Sequence, residues 1–513
     1  MGQFNTSGAF PAALQPTQTK TLYQNNYLDF FDLGAGGQWA QQFLPDVYEK
    51  ETERYGNRSI SSFLRMVSAE MPSTADQIIW TEQGRLHTRY VNATTTAVTD
   101  AGNRTFTVPG TQPTTLNRHT GAGNGDITAV NFRVGQTVMI QENGTDNRGV
   151  SGAAVGKGVV TAVSGLTFDV TFYGTFVTAT GTTYTALVYG SEFAKGTGNF
   201  TDKLDAEYST FQNSPIILKE HYGINGSDAS QIGWIEVTSE NGASGYLWYM
   251  KSEHENRLRF EDYIEMSMVE GVAGDINFDP ASTTGIGQYS QGASFANQSN
   301  DGANRARLKG TQGFFSALED RANVYQGFGD EAAGGGALTD FDNVLKQLDK
   351  QGSIEENMIF VNRDLALELD DILSQQNSYG AGGTSWGVFN NSEDMALTLG
   401  FSGFRRGSYD FYKTDWKYLN DWSTRGGFSD IEGVLVPAGT STVYDQNLGK
   451  NIKRPFLHVR YRSSEADNRK MKSWITGSVG GAYTTDIDEM RIHYLTERCL
   501  ITQAANNFVL FRS

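Results

Sequence analysis

The sequence predicts an α+β protein carrying an all-β insertion, on three observations. Residues 93–200 alternate apolar and polar side chains, residues 246–270 form one unbroken helical pattern, and from about residue 335 short helices alternate with short apolar strands. At 513 residues the chain is too long for a single core and is expected to divide into several regions. Its 30 Phe and 23 Tyr argue for real cores, and its 58 Gly for many turns and long connections.

Residues 1–45 are polar with scattered aromatics (Phe4, Phe10, Tyr23, Tyr27, Phe30, Phe31) and no sustained period. They read either as an extended arm that lays its aromatics on another surface or as a loosely ordered terminus. From Gln38 to Met71 the pattern is helical: Phe43 and Val47 are four apart, Ile60, Phe63, Leu64 and Val67 make an apolar stripe, and Pro72 is expected to stop it. Residues 77–82 and 85–90 then read as two strands around a Gln-Gly turn.

Between 93 and 200 the acidic residues Asp100, Asp126, Glu142, Asp146, Asp169 and Glu192 balance Arg104, Arg118, Arg133, Arg148, Lys157 and Lys195. The rest of the chain therefore carries the whole formal charge of −17. Leu166, Phe168, Val170 and Phe172 alternate with Thr167, Asp169 and Thr171, and Phe132, Val134, Val138 and Ile140 are assigned to one strand face. Asn143-Gly144 and Ser164-Gly165 are turn signals between the runs.

Tyr246 to Glu270 contains neither Pro nor Gly, and Gly271 supplies the stop. Twenty-five helical residues would span roughly 37 Å. Lys251, Glu255, Arg259 and Glu265 are placed on a charged side, and Leu247, Met250, Leu258, Tyr263, Ile264 and Met268 on a buried stripe. A Gly-, Ser- and Asn-rich stretch follows to about 336, broken by a short helix at 314–322. Thr339 with Asp342 resembles a capping box for a helix carrying Phe341, Val344, Leu345 and Leu348. Residues 358–361 read as a buried strand, and Asn362 as the cap of a helix with Leu365 and Leu369. Further strands are expected at 433–436, 455–461, 491–496 and 507–511.

The composition narrows the function classes. The only cysteine is Cys499, so an intrachain disulfide and a cysteine-based metal site are excluded. No run approaches the roughly 18 apolar residues of a membrane span. The opening segment has no charged start followed by an apolar stretch, so the chain is expected to be made and folded in a cytosol. A charge of −17 disfavours polyphosphate binding by the chain as a whole but suits a wall facing packed DNA.

Catalytic motifs fail in context. Gly383-Thr384-Ser385-Trp386-Gly387 matches the nucleophile elbow, yet Gly-rich residues precede it where a strand is needed. Gly156-Lys157 is followed by Gly158 instead of Ser or Thr, and Ser151 stands where a phosphate loop needs its first Gly. His87, His119, His221, His254, His458 and His493 are dispersed. No catalytic, cofactor-binding or metal-binding residue is assigned, and no cofactor is expected. Short basic patches occur at Arg305-Ala306-Arg307-Leu308-Lys309, Arg405-Arg406 and Arg460 with Arg462; they suit ion pairs to a neighbouring acidic surface or a solvated face.

The order of parts resembles the major capsid proteins of tailed bacteriophages with the Hong Kong 97 fold. The wording of residues 58–90 (RSISSFLRMVSAEMPSTADQIIWTEQGRLHTRY), 213–224 (NSPIILKEHYGI) and 490–513 (MRIHYLTERCLITQAANNFVLFRS) is similar to that of the crAss-like phages of Bacteroidetes. The resemblance implies an N-terminal arm at 1–45, a helix and the start of the extended loop and peripheral domain at 46–92, and an extended loop enlarged by a β module at 93–200. It further implies a peripheral domain at 201–334 with its spine helix at 246–270, an axial domain at 335–480, and return strands at 481–513. It implies a non-enzymatic subunit that self-assembles into hexamers and pentamers of an icosahedral head in the host bacterial cytoplasm, enclosing double-stranded DNA without reading its sequence. Portal and auxiliary or decoration capsid proteins would be its partners, with no membrane involved. Phe4, Phe10, Tyr23, Phe30, Arg305, Arg307, Arg405 and Arg406 are the expected intersubunit contacts. The competing classes are a glycan-binding, tail-associated adhesin, an encapsulin-like compartment shell, and a carboxylate hydrolase.

Overall fold

The computed structural model describes residues 59–83, 87, 89–95, 102–110, 127–144, 150, 152–200, 203, 208–230, 237–238, 244–245, 248–273, 310–326, 337–352, 354–376, 403–428, 430–445, 450–479, 481 and 483–513. The chain forms two compact units: one is Ile79–Gln212, and the other comprises Met1–Ile78 with Asn213–Ser513.

In chain order, α1 (Phe63–Val67) and β1 (Ala69–Ser73) open the larger unit. The smaller unit supplies β2 (Ile78–Gln83), β3 (Arg89–Thr94), β4 (Asn103–Thr107), β5 (Gln136–Glu142), β6 (Val155–Ser164), β7 (Thr167–Phe172), β8 (Thr183–Ser191) and β9 (Tyr208–Asn213). The larger unit resumes with β10 (Ile216–Asn225), a short hairpin of β11 (Val237–Thr238) and β12 (Ser244–Gly245), α2 (Trp248–Glu270), α3 (Phe314–Arg321) and β13 (Asn323–Gln326). It continues through α4 (Ala337–Gln351), β14 (Glu356–Val361), α5 (Arg363–Gln376), β15 (Gly403–Arg406), β16 (Tyr409–Asp415) and β17 (Ile431–Pro437). It closes with β18 (Thr440–Asp445), β19 (Lys450–Pro455), β20 (Leu457–Arg462), β21 (Lys472–Gly477), β22 (Glu489–Thr502) and β23 (Val509–Arg512).

The smaller unit is a closed barrel in the order β3-β4-β7-β6-β5-β8, with β2 and β9 pairing separately. Alternation builds it: Phe168, Val170 and Phe172 of β7 point inward to meet Phe106, Val138, Ile140, Val160, Tyr184 and Ala186. Burying a large apolar side chain contributes about 1.5–3 kcal/mol, so this interior is a core in its own right. Gly165, at φ +55°, makes the tight β6–β7 connection. A Cβ on Gly158 would sit 2.5 Å from the Thr171 carbonyl oxygen, so β6 can approach β7 only with glycine there. Val134 is exposed, not inward: β5 begins at Gln136, and the turn before it breaks the alternation.

Two sheets organise the larger unit. The six-stranded sheet runs β13-β23-β17-β14-β16-β15. Its central strands are buried on both faces: Phe360, Val434, Val436 and Leu510 enter one core, while Ile359, Val361, Leu435, Val509 and Phe511 enter another with Phe341, Leu348, Leu365 and Leu369 from α4 and α5. That two-sided burial is why these strands read as continuous apolar runs. The Asn362 side-chain oxygen accepts the Leu365 N–H at 2.8 Å, capping α5 as its sequence suggests. The five-stranded sheet runs β1-β20-β22-β10, with β21 also on β22, and α2 packs on it through Phe260, Ile264 and Tyr494.

Several local expectations are corrected. The helix ending at Pro72 stops at Val67, and residues 69–73 pair in parallel with β20 at the sheet edge, where a proline lacking an N–H is tolerated. β2 and β3 do not pair with each other; β2 pairs β9, while β3 lies between β4 and β8. Thr339 lies inside α4, which begins at Ala337, so it caps nothing there. Among the described side chains of α2 the buried positions are Asn256, Phe260, Ile264, Glu265, Met268 and Val269, while Tyr263 is exposed; Leu247 and Met250 of the expected stripe lie outside them. The inward face is rotated from the expected stripe, and Glu265 moves from the charged side to the buried one. In the five-stranded sheet β20 and β21 pair with β22, whereas β23 joins the sheet of β14 and β17. The arm at 1–45, the helical pattern at 38–58 and most of the Gly-rich stretch lie outside the described residues.

Candidate functional site

The motifs weighed for catalysis find no supporting geometry among the described residues. Gly156, Lys157 and Gly158 lie within strand β6, where Cβ atoms on the two glycines would strike Phe172, Phe176 and the Thr171 backbone. That is a packing role, not a phosphate-cradling loop. The serine elbow at 383–387 and His119 lie outside the described residues. His221 and His493 face each other across β10 and β22, with Trp474 stacked on His493 at 5.1 Å. His458 is buried and donates its Nδ1 proton to the Pro455 carbonyl, and burial pushes its pKa down to about 4. Among the described residues no group of three or more His, Cys, Asp or Glu could hold a metal ion. No described helix is long and apolar enough to cross a membrane.

The polar groups converge at junctions between chain segments. The first lies where residues 59–67 meet α2. Asp262 Oδ1 accepts the Ile60 N–H and the Ser59 hydroxyl, both at 2.9 Å. Glu265 Oε1 accepts the Phe63 N–H at 2.8 Å, and Glu261 pairs with Arg65 at 2.7 Å. These contacts hold Phe63 in an aromatic cage, stacked on Trp416 at 4.2 Å and edge-on to Phe360 at 4.8 Å. At the C-terminal end of α2, Glu270 accepts the Tyr418 hydroxyl at 2.7 Å and pairs with Arg425, whose other arm reaches Asp430.

A second network ties β1, β20, β22 and the turn after β20. Glu497, 7% exposed, receives Arg462 at 2.6 Å and Arg469 at 2.7 Å. Arg462 also reaches Asp76, and Asp467 binds Arg469 and Lys472. Lys472 and Arg469 together hold the Asp467 carboxyl below its usual range. Glu70 in turn pairs with Arg498 and Lys470. A carboxylate with two guanidinium groups, set in partly desolvated surroundings, is a strong positional fix.

Of the expected intersubunit residues, Phe4, Phe10, Tyr23, Phe30, Arg305 and Arg307 lie outside the described residues. Arg405 and Arg406 lie on the edge strand β15 and pair within the chain. Arg405 faces its cross-strand partner Asp410 at 3.5 Å, and Arg406 Nε binds Asp342 of α4 at 2.6 Å. That bond holds the Asp342 carboxyl below its usual range. With the Tyr409 hydroxyl on Asp349 at 2.6 Å, it fastens the β15–β16 hairpin to α4. Arg405 keeps its guanidinium mostly in solvent, so its pairing contributes little to stability. Sequence reasoning missed Glu265, Asp262 and Glu497. The spacing of Phe260, Ile264 and Met268 by four residues is the sequence signal that could have located the inward face of α2, but the expected stripe left out Phe260.

No protein-family model matches the chain, and no curated protein does. Solved structures give remote likenesses. One is labelled Microbacterium phage Oxtober96 (8% identity, 91% of this chain and 96% of that chain, TM-score 0.35). Another is labelled Mycobacterium phage Ogopogo (10% identity, 92% and 98%, TM-score 0.34). A third is titled "Capsid of native GTA particle computed with C5 symmetry" (9% identity, 92% and 96%, TM-score 0.35). With TM-scores below 0.5, these likenesses establish neither the fold nor the function of this chain.

Proposed function

We propose that this chain is a shell-building subunit, the major capsid protein of a tailed bacteriophage, with a structural and not an enzymatic role. One observation carries the reading: the order of elements. A 23-residue helix lies on a long-stranded sheet, a separate β barrel interrupts the chain ahead of it, and a mixed α/β sheet follows. The sequence resemblance to Hong Kong 97-type capsid proteins implies that order, with the barrel enlarging the extended loop.

On this reading the subunits assemble into hexamers and pentamers through many modest contacts repeated by symmetry. The acidic balance of −17 suits a wall that must not adhere to packed DNA. Portal and decoration proteins would be further partners, and the virion the final location. Purified full-length protein imaged by electron microscopy tests the proposal: closed icosahedral particles or hexameric sheets are expected. A second reading, glycan binding, draws on exposed Tyr173, Tyr189 and Phe193 on the barrel. A monodisperse small oligomer that binds glycans would favour it and sink the shell.

A further inference from the structure

The three carboxylates that α2 presents to residues 59–67 differ in surroundings. Glu261 pairs with Arg65 and Arg257, and Arg65 is largely in solvent. Asp262 is half-buried, with two donors on one oxygen. Glu265 is buried, 7% exposed, and its carboxylate meets backbone N–H groups of Phe63 and Leu64 with no cation at ion-pair distance among the described residues. An ionised carboxylate taken from water without a cation is costly even when hydrogen-bonded.

We infer that Glu265 is a proton-linked clamp. It holds residues 59–67 on α2 more tightly when it carries a proton, and the hold weakens as that proton is lost. The inference concerns this junction alone and stands whether or not the chain builds a shell.

Burial is the largest influence on Glu265 and raises its pKa from 4.5 to about 7, against the two backbone donors that favour the charged form. Asp262 raises it further and Arg65 lowers it. The other charged groups on neighbouring elements are already engaged. Glu270 binds Tyr418 and Arg425, Glu70 binds Arg498 and Lys470, and Glu319 of α3 pairs with Arg512. Arg321 of α3 donates to Gln312, and Lys417 donates to the Ser59 carbonyl; the remaining charged group, Asp320 of α3, is half-buried.

The sign follows from proton counting. Between pH 4.5 and 7 the closed junction binds more protons at Glu265 than the opened one does, so closure weakens as pH rises through that window. Opening would free Phe63 from its cage against Trp416, Phe360 and Phe314, so one proton bears on the main core of the larger unit.

The experiment is amide hydrogen exchange on the full-length chain at pH 5 and pH 8, corrected for intrinsic exchange. The opening equilibrium at Phe63 and Leu64 is expected to be roughly fifty- to a hundredfold more favourable at pH 8, the ratio that a pKa moving from 4.5 to about 7 yields. Glu265→Gln should remove most of that dependence, while Asp262→Asn should retain it. Equal opening of the unsubstituted chain at both pH values overturns the clamp without reference to any variant. So does an undiminished dependence in Glu265→Gln.

Discussion

At the scale of single residues, burial decides what a titratable group can do. His458 and Glu265 are both ionisable and both buried, yet they move stability in opposite directions with pH. Burial depresses the folded-state pKa of His458 from 6.5 to about 4, so its contribution is fully present above pH 6.5 and is lost as pH falls toward 4. The depression amounts to at most about 3 kcal/mol at about 1.4 kcal/mol per unit. His458→Gln should therefore show a smaller drop in thermal midpoint between pH 7.5 and pH 4.5 than the unsubstituted chain, in matched calorimetric scans. An equal drop would show that His458 does not contribute to acid sensitivity. Neither group's role was legible from residue type. His458 reads as one of six scattered histidines, and Glu265 as part of a charged helix face, because burial is a property of what packs over a position. Cys499 follows the same logic: burial raises its thiol pKa to about 12, which keeps it protonated and unreactive.

At the scale of elements, the barrel is the clearest case of local pattern becoming structure. Its strands alternate, its turns carry glycine where the backbone needs it, and its interior is filled by its own side chains, among them Phe106, Phe132, Phe168 and Tyr184. A core that closes on itself predicts independent folding. A fragment of residues 79–212 should give a β-type circular dichroism spectrum and a cooperative melt of its own. A non-cooperative, ANS-binding fragment would refute this. Helix α2 was legible in length and stop signal but not in phase, since Tyr263 and Ile264 are adjacent and only the packed neighbours choose between them. Phe260, Ile264 and Met268 face inward because the sheet and α3 lie on that side. The strand β1 was misread as helix because Ala69, Glu70 and Met71 favour helix on propensity. Pairing with β20 and the Glu70 ion pairs override that preference.

At the scale of the whole molecule, chain segments far apart in sequence are fastened to one another by carboxylates. Residues 59–65 are tied to 261–265, β15 to α4, and β1 to β20 and β22. An acidic chain thus uses some of its excess carboxylates internally. For the assembly proposed here, the first 45 residues should matter to association and not to folding. Deleting residues 1–45 should leave a soluble protein whose melting midpoint is little changed but which forms no closed particles in electron micrographs. Normal particles from the truncated chain would remove the arm from the assembly mechanism.

The sequence by itself determined the α+β class, the charge-poor alternating segment, the long helix and its stop at Gly271, the Asn362 cap and the buried strand at 358–361. All of these depend on residues near one another in the chain, where side-chain period and backbone preference act directly. Only the tertiary structure decided that the alternating segment closes into a barrel, that β20 and β21 leave the sheet of β14 and β17, and that Glu265 is buried under residues 59–67. Those outcomes depend on contacts between residues hundreds of positions apart. Such contacts set which face is covered and which charge loses its water, and no local pattern encodes them.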